Sequence, residues 1–164
     1  HVHRDRGYSL CPQLGHQRRV NSRERIMAKS DKKPRPAPTP TNITNPFWDA
    51  INEHKFLLQY DPVAKKYQFY PRGLSVHTGK QNLIWQEVSG KGTIYSFTET
   101  VIPARGFEGK EPYLIAAVEL EEGVRLMSLL HNCSSEDVKI GMPVRLCWDK
   151  INEDFEYFAF EPDE

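Results

Sequence analysis

Two neighbouring segments of the chain, residues 113–120 and 124–130, alternate apolar side chains along the backbone. A repeat of two residues is typical of a β-strand, because successive side chains point to opposite faces. The positions that share one face are Leu114, Ala116, Val118 and Leu120, then Val124, Leu126, Ser128 and Leu130. The opposite faces are also largely apolar, with Ile115, Ala117 and Met127 among them. Such strands are best buried in a highly curved sheet or a closed barrel.

The sequence pattern of the second half of the chain predicts five strands separated by turn residues. Their predicted ranges are 93–102, 113–120, 124–130, 143–148 and 155–160. A short helical piece is predicted at 134–138, between the third and fourth strands. This order is typical of a small Greek-key barrel of the OB type. The usual binding surface of such a barrel includes strands 2 and 3 and the loop that joins strands 1 and 2, here residues 103–112.

A short helix is predicted over residues 46–55, ahead of the strands. Asn45 suits the N-cap and Pro46 the first helical position. Phe47 and Ile51 then fall on one helix face. Order is therefore expected to begin near this helix.

Two aromatic-rich strand segments follow the helix, at residues 56–60 and 67–70. The second ends at residues 71–73, Pro-Arg-Gly, where the chain must turn. We therefore predict a small hairpin module over residues 56–86 and the barrel over residues 87–164. The predicted fold class is mainly β.

The charges of the chain are divided unevenly. Residues 1–45 hold ten Lys or Arg and three Asp or Glu, a net +7, whereas residues 46–164 hold twelve and nineteen, a net −7. Residues 32–40 combine like charges with repeated prolines, which oppose both a helix and a packed core. We predict a disordered, basic, Pro-rich tail over residues 1–45. Because Met27 is typical of a natural chain start, it is open whether the residues before it are native.

Neither a membrane span nor secretion is indicated. The sequence has no run of 18 apolar residues, and its first 25 residues carry charges where a signal peptide needs an apolar core. We expect a cytoplasmic protein without membrane contact. The cysteines Cys11, Cys133 and Cys147 are an odd number at wide spacing, which suits neither a disulfide framework nor a zinc cluster of their own.

Catalytic motifs are missing from the sequence. It has no nucleophile elbow, phosphate-cradling glycine loop, His-Glu-x-x-His or dinucleotide fingerprint. Cys133 follows His131 by two residues, and such a pair suggests a thiol nucleophile. This spacing at a strand end is poor evidence of hydrogen-bond geometry, and Asn132 or Ser134 better suits the cap of the helical piece that follows. We expect a protein that is not an enzyme.

Four short motifs occur in a specific order along the chain. They are Pro46-Phe47-Trp48, Phe69-Tyr70-Pro71-Arg72, residues 85–98 and Ile140-Gly141-Met142-Pro143-Val144. Over about residues 46–161 this order resembles the acyl-CoA-associated OB-fold family once called "domain of unknown function 35". The resemblance implies a rubredoxin-like zinc ribbon ahead of the barrel. It also implies a partner of thiolase-type or hydratase-type enzymes that act on acyl-CoA substrates.

The ribbon departs from the pattern that this resemblance implies. The positions of its two Cys-x-x-Cys knuckles hold Asp61 and Ala64, then Ser75 and Thr78. Structural zinc normally takes four thiolate or imidazole ligands, and here Asp61 and His77 offer two donors at most. We therefore expect a degenerate, cysteine-free ribbon with no zinc and no covalently bound cofactor. The apolar side chains expected to hold it are Val63, Tyr67, Phe69, Leu74, Val76, Leu83 and Trp85.

A CoA-type ligand needs cations for its phosphates and an aromatic or apolar surface for its adenine. The loop of residues 103–112 and the residue after it offer Arg105, Phe107, Lys110 and Tyr113. The alternative is that the two cations are solvated and that Phe107 packs against the barrel. We predict a non-catalytic accessory or scaffold subunit that binds CoA or acyl-CoA and partners a thiolase-like or hydratase-like enzyme.

Two other functions are kept open. OB barrels often bind single-stranded nucleic acid through aromatic residues in a cationic groove. The net charge of −7 on residues 46–164 opposes this function, because phosphate contacts supply most of the non-specific affinity for nucleic acid. A purely structural interaction subunit without a ligand is the third possibility.

Overall fold

The structure is a computed structural model that describes residues 34–151 and 155–163. Residues 1–33, which hold most of the predicted tail, lie outside the described residues. The described part is mainly β, as the alternation predicts, and its helical element is a single short helix. A bilayer-spanning helix is absent from this part of the chain.

The helix, α1, runs over Asn45–Asn52 and has Thr44 as its N-cap residue. It begins one residue earlier and ends three residues earlier than predicted, and Asn45 is its first helical residue and not its N-cap. Its buried side includes Phe47, whose ring lies 6.0 Å from that of Phe56, 5.8 Å from that of Phe69 and 5.9 Å from that of Phe158. Because these partners belong to different parts of the chain, Phe47 joins the helix to the two β modules.

The first β module is a three-stranded antiparallel sheet, here called the ribbon. Its strands are β1 (Leu57–Asp61), β2 (Lys66–Gln68) and β3 (Ile84–Glu87), in the order β2-β1-β3. The predicted hairpin corresponds to β1 and β2. β3 was not predicted, because its four residues, Ile84-Trp85-Gln86-Glu87, show no alternation of apolar and polar side chains.

The second β module is a closed five-stranded barrel, as predicted. Its strands are β4 (Lys91–Thr100), β5 (Tyr113–Leu120), β6 (Arg125–Leu130), β7 (Pro143–Lys150) and β8 (Glu156–Pro162). They follow the order β4-β5-β6-β8-β7, and β4 closes the barrel by pairing with β7 at residues 91–93. A side chain at Gly92 would place its Cβ 2.5 Å from the carbonyl oxygen of Glu119, so glycine is needed where β4 approaches β5.

The structure confirms the core face that the alternation in β5 and β6 predicts. Every predicted inward position in these two strands, and Val124 before β6, is buried. The helical piece predicted at residues 134–138 is a single turn instead. The Val138 N–H donates to the Ser134 carbonyl at 3.1 Å, and the Ser134 hydroxyl accepts from the Asp137 N–H at 3.2 Å. One capped turn is too short to propagate as a helix.

The segment of residues 34–44, here called the N-terminal segment, is the described part of the predicted tail. It contains no helix or strand, but a turn joins it to α1, with the Asn45 N–H donating to the Thr41 carbonyl at 2.8 Å. The Arg35 side chain is only 8% exposed and pairs with Asp149 of β7. Arg35 is therefore anchored to the barrel, whereas most other residues of the segment are exposed.

Candidate functional site

A cavity of about 390 Å³, here called the aromatic cavity, lies where α1, the ribbon and the barrel meet. The helix contributes Trp48, and the chain after β2 contributes Phe69 and Tyr70. The loop of residues 103–112 contributes Phe107. Each of these residues contributes an aromatic ring to the cavity wall, so the cavity favours an apolar ligand.

The barrel supplies the rest of the wall. Met127, Ser128 and Leu129 come from β6, and Tyr157 and Phe158 come from β8. The Ser128 hydroxyl donates to the Phe158 carbonyl at 3.0 Å. The surface that a ligand would meet is therefore mostly carbon.

Arg35 is the charged residue in the wall of the aromatic cavity. Its Nη1 atom lies 2.7 Å from Oδ2 of Asp149, and its guanidinium carbon lies 4.7 Å from the ring centre of Phe107 and 5.8 Å from that of Tyr157. The backbone at Arg35 also packs on Gly106, where an added Cβ would lie 2.6 Å from the Arg35 Cα. The N-terminal segment thus completes one side of the cavity.

The carboxylate of Asp149 balances this cation. Burial raises the pKa of Asp149, but His131 and Arg35 together lower it below its ordinary value. The Nε2 atom of His131 lies 3.6 Å from Asp149 Oδ2. Because Asp149 remains ionised, the cavity presents Arg35 as a paired cation and not as a free one.

The predicted ligand residues in the loop of residues 103–112 separate into two groups. The rings of Phe107 and Tyr113 stack on each other, with centres 4.8 Å apart and planes 24° apart. Arg105 and Lys110 are exposed on the loop. Of the four predicted residues, Phe107 is the one that lines the aromatic cavity. Whether any of the four binds CoA stays a prediction.

The most important residues that the sequence reasoning missed are Arg35 and the wall residues from β6 and β8. Arg35 lies between two prolines in a segment whose composition predicts disorder. Its partner Asp149 is 114 residues away, and no local pattern reports such a pair. The sequence did indicate an exposed apolar surface at Met127 and Leu129, because both are apolar on the outward face of a barrel strand.

The four predicted ligand positions of the ribbon do meet in space, around a carboxylate. Asp61 is fully buried, with 0% of its surface exposed. Its Oδ2 atom accepts hydrogen bonds from the hydroxyls of Thr78, at 2.7 Å, and Ser75. Ala64 contributes its backbone N–H, which donates to Asp61 Oδ1 at 3.1 Å.

Two further donors complete the shell of this carboxylate. The Val63 N–H and the Asn82 side-chain amide both donate to Asp61 Oδ1, each at 2.9 Å. Burial raises the pKa of Asp61, but the hydrogen bonds from Ser75, Thr78 and the backbone outweigh it and hold the pKa well below its usual range. The carboxylate is therefore charged and satisfied by five donors.

This arrangement does not fit a zinc ion. The groups around Asp61 point hydrogens at its oxygens, and Ala64 brings no side-chain ligand atom. Among the described residues, no three His, Cys, Asp or Glu side chains are grouped as metal ligands would be. The expected absence of zinc stays a prediction, which elemental analysis of the purified protein tests.

Only some of the apolar residues predicted to hold the ribbon pack against the core. Tyr67, Phe69 and Trp85 do pack against the core. The prediction was wrong for three others, because Val63, Leu74 and Val76 are exposed. Buried polar groups hold the ribbon in their place.

Two buried glutamines, Gln59 and Gln68, hold the chain after β2. The Gln59 side chain forms a pair of hydrogen bonds with the backbone of Arg72, both at 2.8 Å. The Gln68 amide donates to the Gln59 side-chain carbonyl at 2.9 Å, and its own carbonyl accepts from the Val76 N–H at 2.9 Å. This network positions the segment that carries Tyr70 into the wall of the aromatic cavity.

The Cys133 and His131 pair does not form a nucleophile. His131 faces Asp149, and the Cys133 thiol lies 3.6 Å from the Ser134 carbonyl. Burial, followed by the charge of Asp137, raises the pKa of Cys133, which disfavours the thiolate. The pKa of Cys147 is raised to about 11, chiefly by burial. Neither thiol is activated.

Residues 85–149 match a family described as "ChsH2, C-terminal OB-fold domain". A "DUF35 domain-containing scaffold protein" from Methanocaldococcus jannaschii is 41% identical over 68 residues, which are 42% of this chain and 48% of the relative. The "3-oxo-4,17-pregnadiene-20-carboxyl-CoA hydratase alpha subunit" from Mycobacterium tuberculosis is 35% identical over 131 residues, 77% of this chain and 40% of the relative.

A "probable enoyl-CoA hydratase alpha subunit" from Thermomonospora curvata is 32% identical over 132 residues, 79% of this chain and 40% of the relative. The chain spans about half or less of the length of these curated relatives. Among solved structures, the "Ltp2-ChsH2(DUF35) aldolase" superposes with a TM-score of 0.70 at 26% identity, and the match covers 77% of this chain and 98% of the other.

Proposed function

Because residues 85–149 belong to the ChsH2 C-terminal OB-fold domain family, we propose that this chain is an accessory subunit that binds CoA thioesters and assembles with an enzyme of acyl-CoA metabolism. The enzyme would be of the thiolase or hydratase type. In this account the chain supplies a ligand-binding and assembly surface, and its partner supplies the chemistry.

The names of the relatives support the partner in this proposal. Two of them are hydratase alpha subunits of which this chain matches 40%, and others are described as scaffold proteins. The solved structure that it resembles is described as an "Ltp2-ChsH2(DUF35) aldolase". A domain that recurs in proteins named for different reactions is expected to contribute binding and not one particular reaction.

The observation that carries the ligand part of the proposal is the loop of residues 103–112 at the edge of the aromatic cavity. Arg105 and Lys110 are exposed and available to the phosphates of CoA. Phe107 places the same loop in the cavity wall. The loop therefore offers two exposed cations, interspersed with Glu108 and Glu111, beside an apolar interior.

Titration of CoA into the purified protein, and into its complex with the partner, tests this assignment. Arg105→Ala and Lys110→Ala should each weaken binding by about 1–3 kcal/mol, and by less where the phosphates stay solvated. Lys80→Ala is a matched control, because it removes an exposed cation from the ribbon and leaves the loop intact. Circular dichroism should show the same fold for all variants.

If CoA binds neither to the purified protein nor to its complex with the partner, the proposed ligand is wrong. If CoA binds but the two loop variants behave like Lys80→Ala, the ligand is right and the loop is wrong. Tight binding of single-stranded DNA in place of CoA would favour the nucleic-acid function.

A further inference from the structure

We propose that the aromatic cavity receives the acyl end of the CoA thioester, so that the accessory subunit distinguishes its ligands by their acyl group. This inference rests on the proposed function and adds the part of the ligand that the cavity contacts. Its ligand class is a CoA thioester with an extended apolar acyl chain.

Continuity between loop and cavity is the first argument. Phe107 belongs to the loop that carries Arg105 and Lys110, and its ring also forms part of the cavity wall. Arg105 and Lys110 lie two and three residues from Phe107 along the chain, so a ligand with its phosphates on this loop is next to a wall of the cavity. The stacked Tyr113, 4.8 Å from Phe107 between ring centres, holds that wall in place.

The chemistry of the wall favours an acyl chain over the pantetheine arm. Pantetheine carries two amide groups, and each loses free energy when it is buried without a hydrogen-bond partner. The Ser128 hydroxyl already donates to the Phe158 carbonyl, and Arg35 is already paired with Asp149. The other polar side-chain atoms of the wall belong to Trp48, Tyr70 and Tyr157, and the remaining side chains of the wall are apolar. An alkyl or other apolar acyl group needs no such partner.

The size and rim of the cavity agree with this occupant. Its volume of about 390 Å³ lies within the range of about 300–1,000 Å³ that is usual for small-molecule sites. Met127 lines it and is 71% exposed, so the rim presents an unbranched apolar side chain that adapts to different ligands. The cavity can therefore be entered without opening the barrel core.

The experiment is an equilibrium titration of acetyl-CoA, butanoyl-CoA and octanoyl-CoA into the full chain, alone and with its partner. A fully buried methylene improves affinity by roughly fourfold. We expect the dissociation constant to fall with chain length, by at least about tenfold from acetyl-CoA to octanoyl-CoA.

Two variants test whether the preference for longer acyl chains arises in the aromatic cavity. Met127→Glu places a carboxylate at the cavity rim and should abolish the preference for octanoyl-CoA over acetyl-CoA. Ile140→Glu adds the same charge at a residue that is 72% exposed and outside the cavity wall, and it should keep that preference. Because the preference is a ratio of two ligands with the same CoA part, general repulsion of the phosphates cancels.

The outcomes separate this inference from the function on which it rests. Equal binding of all three thioesters, or an unchanged preference in Met127→Glu, overturns the inference and leaves the CoA site standing. Failure of all three thioesters to bind overturns both. A preference for longer chains that Met127→Glu removes and Ile140→Glu retains supports the inference.

Discussion

At the scale of single residues, the carboxylate of Asp61 determines how the ribbon is held. Five hydrogen-bond donors converge on a side chain that water does not reach. Ionised acceptors form stronger hydrogen bonds than neutral ones, so the charge is part of the stabilisation. The ribbon thus has a compact polar centre at the four positions where the family resemblance implies metal ligands.

Asp61→Asn should lower the melting temperature, and by more than Thr78→Val, which removes only one of the donors. The amide loses the charge and replaces an acceptor oxygen with a donor group that faces other donors. Thermal unfolding followed by circular dichroism measures both variants. Equal melting temperatures for Asp61→Asn and the parent would show that the carboxylate does not hold the ribbon.

The pH dependence of stability follows from the same residue. The folded-state pKa of Asp61 is lowered, so its contribution is fully present above the ordinary pKa of about 3.9. It is lost as the pH falls toward the folded-state pKa, because the unfolded chain binds the proton more readily. The parent should therefore lose more stability than Asp61→Asn on acidification below about pH 5, measured by urea unfolding.

At the scale of elements, the regular repeats in the sequence predicted most of the strands. Single contacts between distant residues could not be predicted from it. The alternation in β5 and β6 identified their buried faces because one face of each strand lines the core. β3 has four residues without such a pattern, and it forms because β1 offers a free edge for pairing. The N-terminal segment packs through the long-range contacts of Arg35 with Asp149, Phe107 and Tyr157, which composition cannot reveal.

Arg35→Ala tests the packing of the N-terminal segment. Both members of the pair are largely buried, with side chains 8% and 14% exposed. Removing the cation leaves Asp149 poorly compensated, so we expect a loss of about 1–3 kcal/mol in the free energy of unfolding. Urea unfolding of Arg35→Ala, Asp149→Asn and the double variant should give a favourable coupling between the two residues.

Arg145→Ala is the matched control for this prediction. It breaks an ion pair with Glu161 in which Arg145 is exposed, and such pairs contribute about 1 kcal/mol or less. An effect of Arg35→Ala no larger than that of Arg145→Ala would mean that the N-terminal segment does not stabilise the barrel.

At the scale of the whole molecule, the aromatic cavity exists only because distant parts of the chain meet. Its wall combines the N-terminal segment, α1, the ribbon, the loop of residues 103–112 and two barrel strands. The strand pattern predicted the barrel, the motif order implied a degenerate ribbon, and the residue types of the loop pointed to Phe107. The sequence could not predict the cavity, because a cavity depends on how the modules pack against each other.

The most direct test of the central claim is to isolate the full chain from its source with its bound partner and to assay that complex with CoA thioesters. We predict a partner enzyme in a fixed ratio to this chain, turnover of a CoA thioester by the complex, and weaker substrate binding when the complex carries Arg105→Ala and Lys110→Ala. A complex with no activity on any CoA thioester, or a chain that copurifies with nucleic acid and no enzyme, would contradict the account.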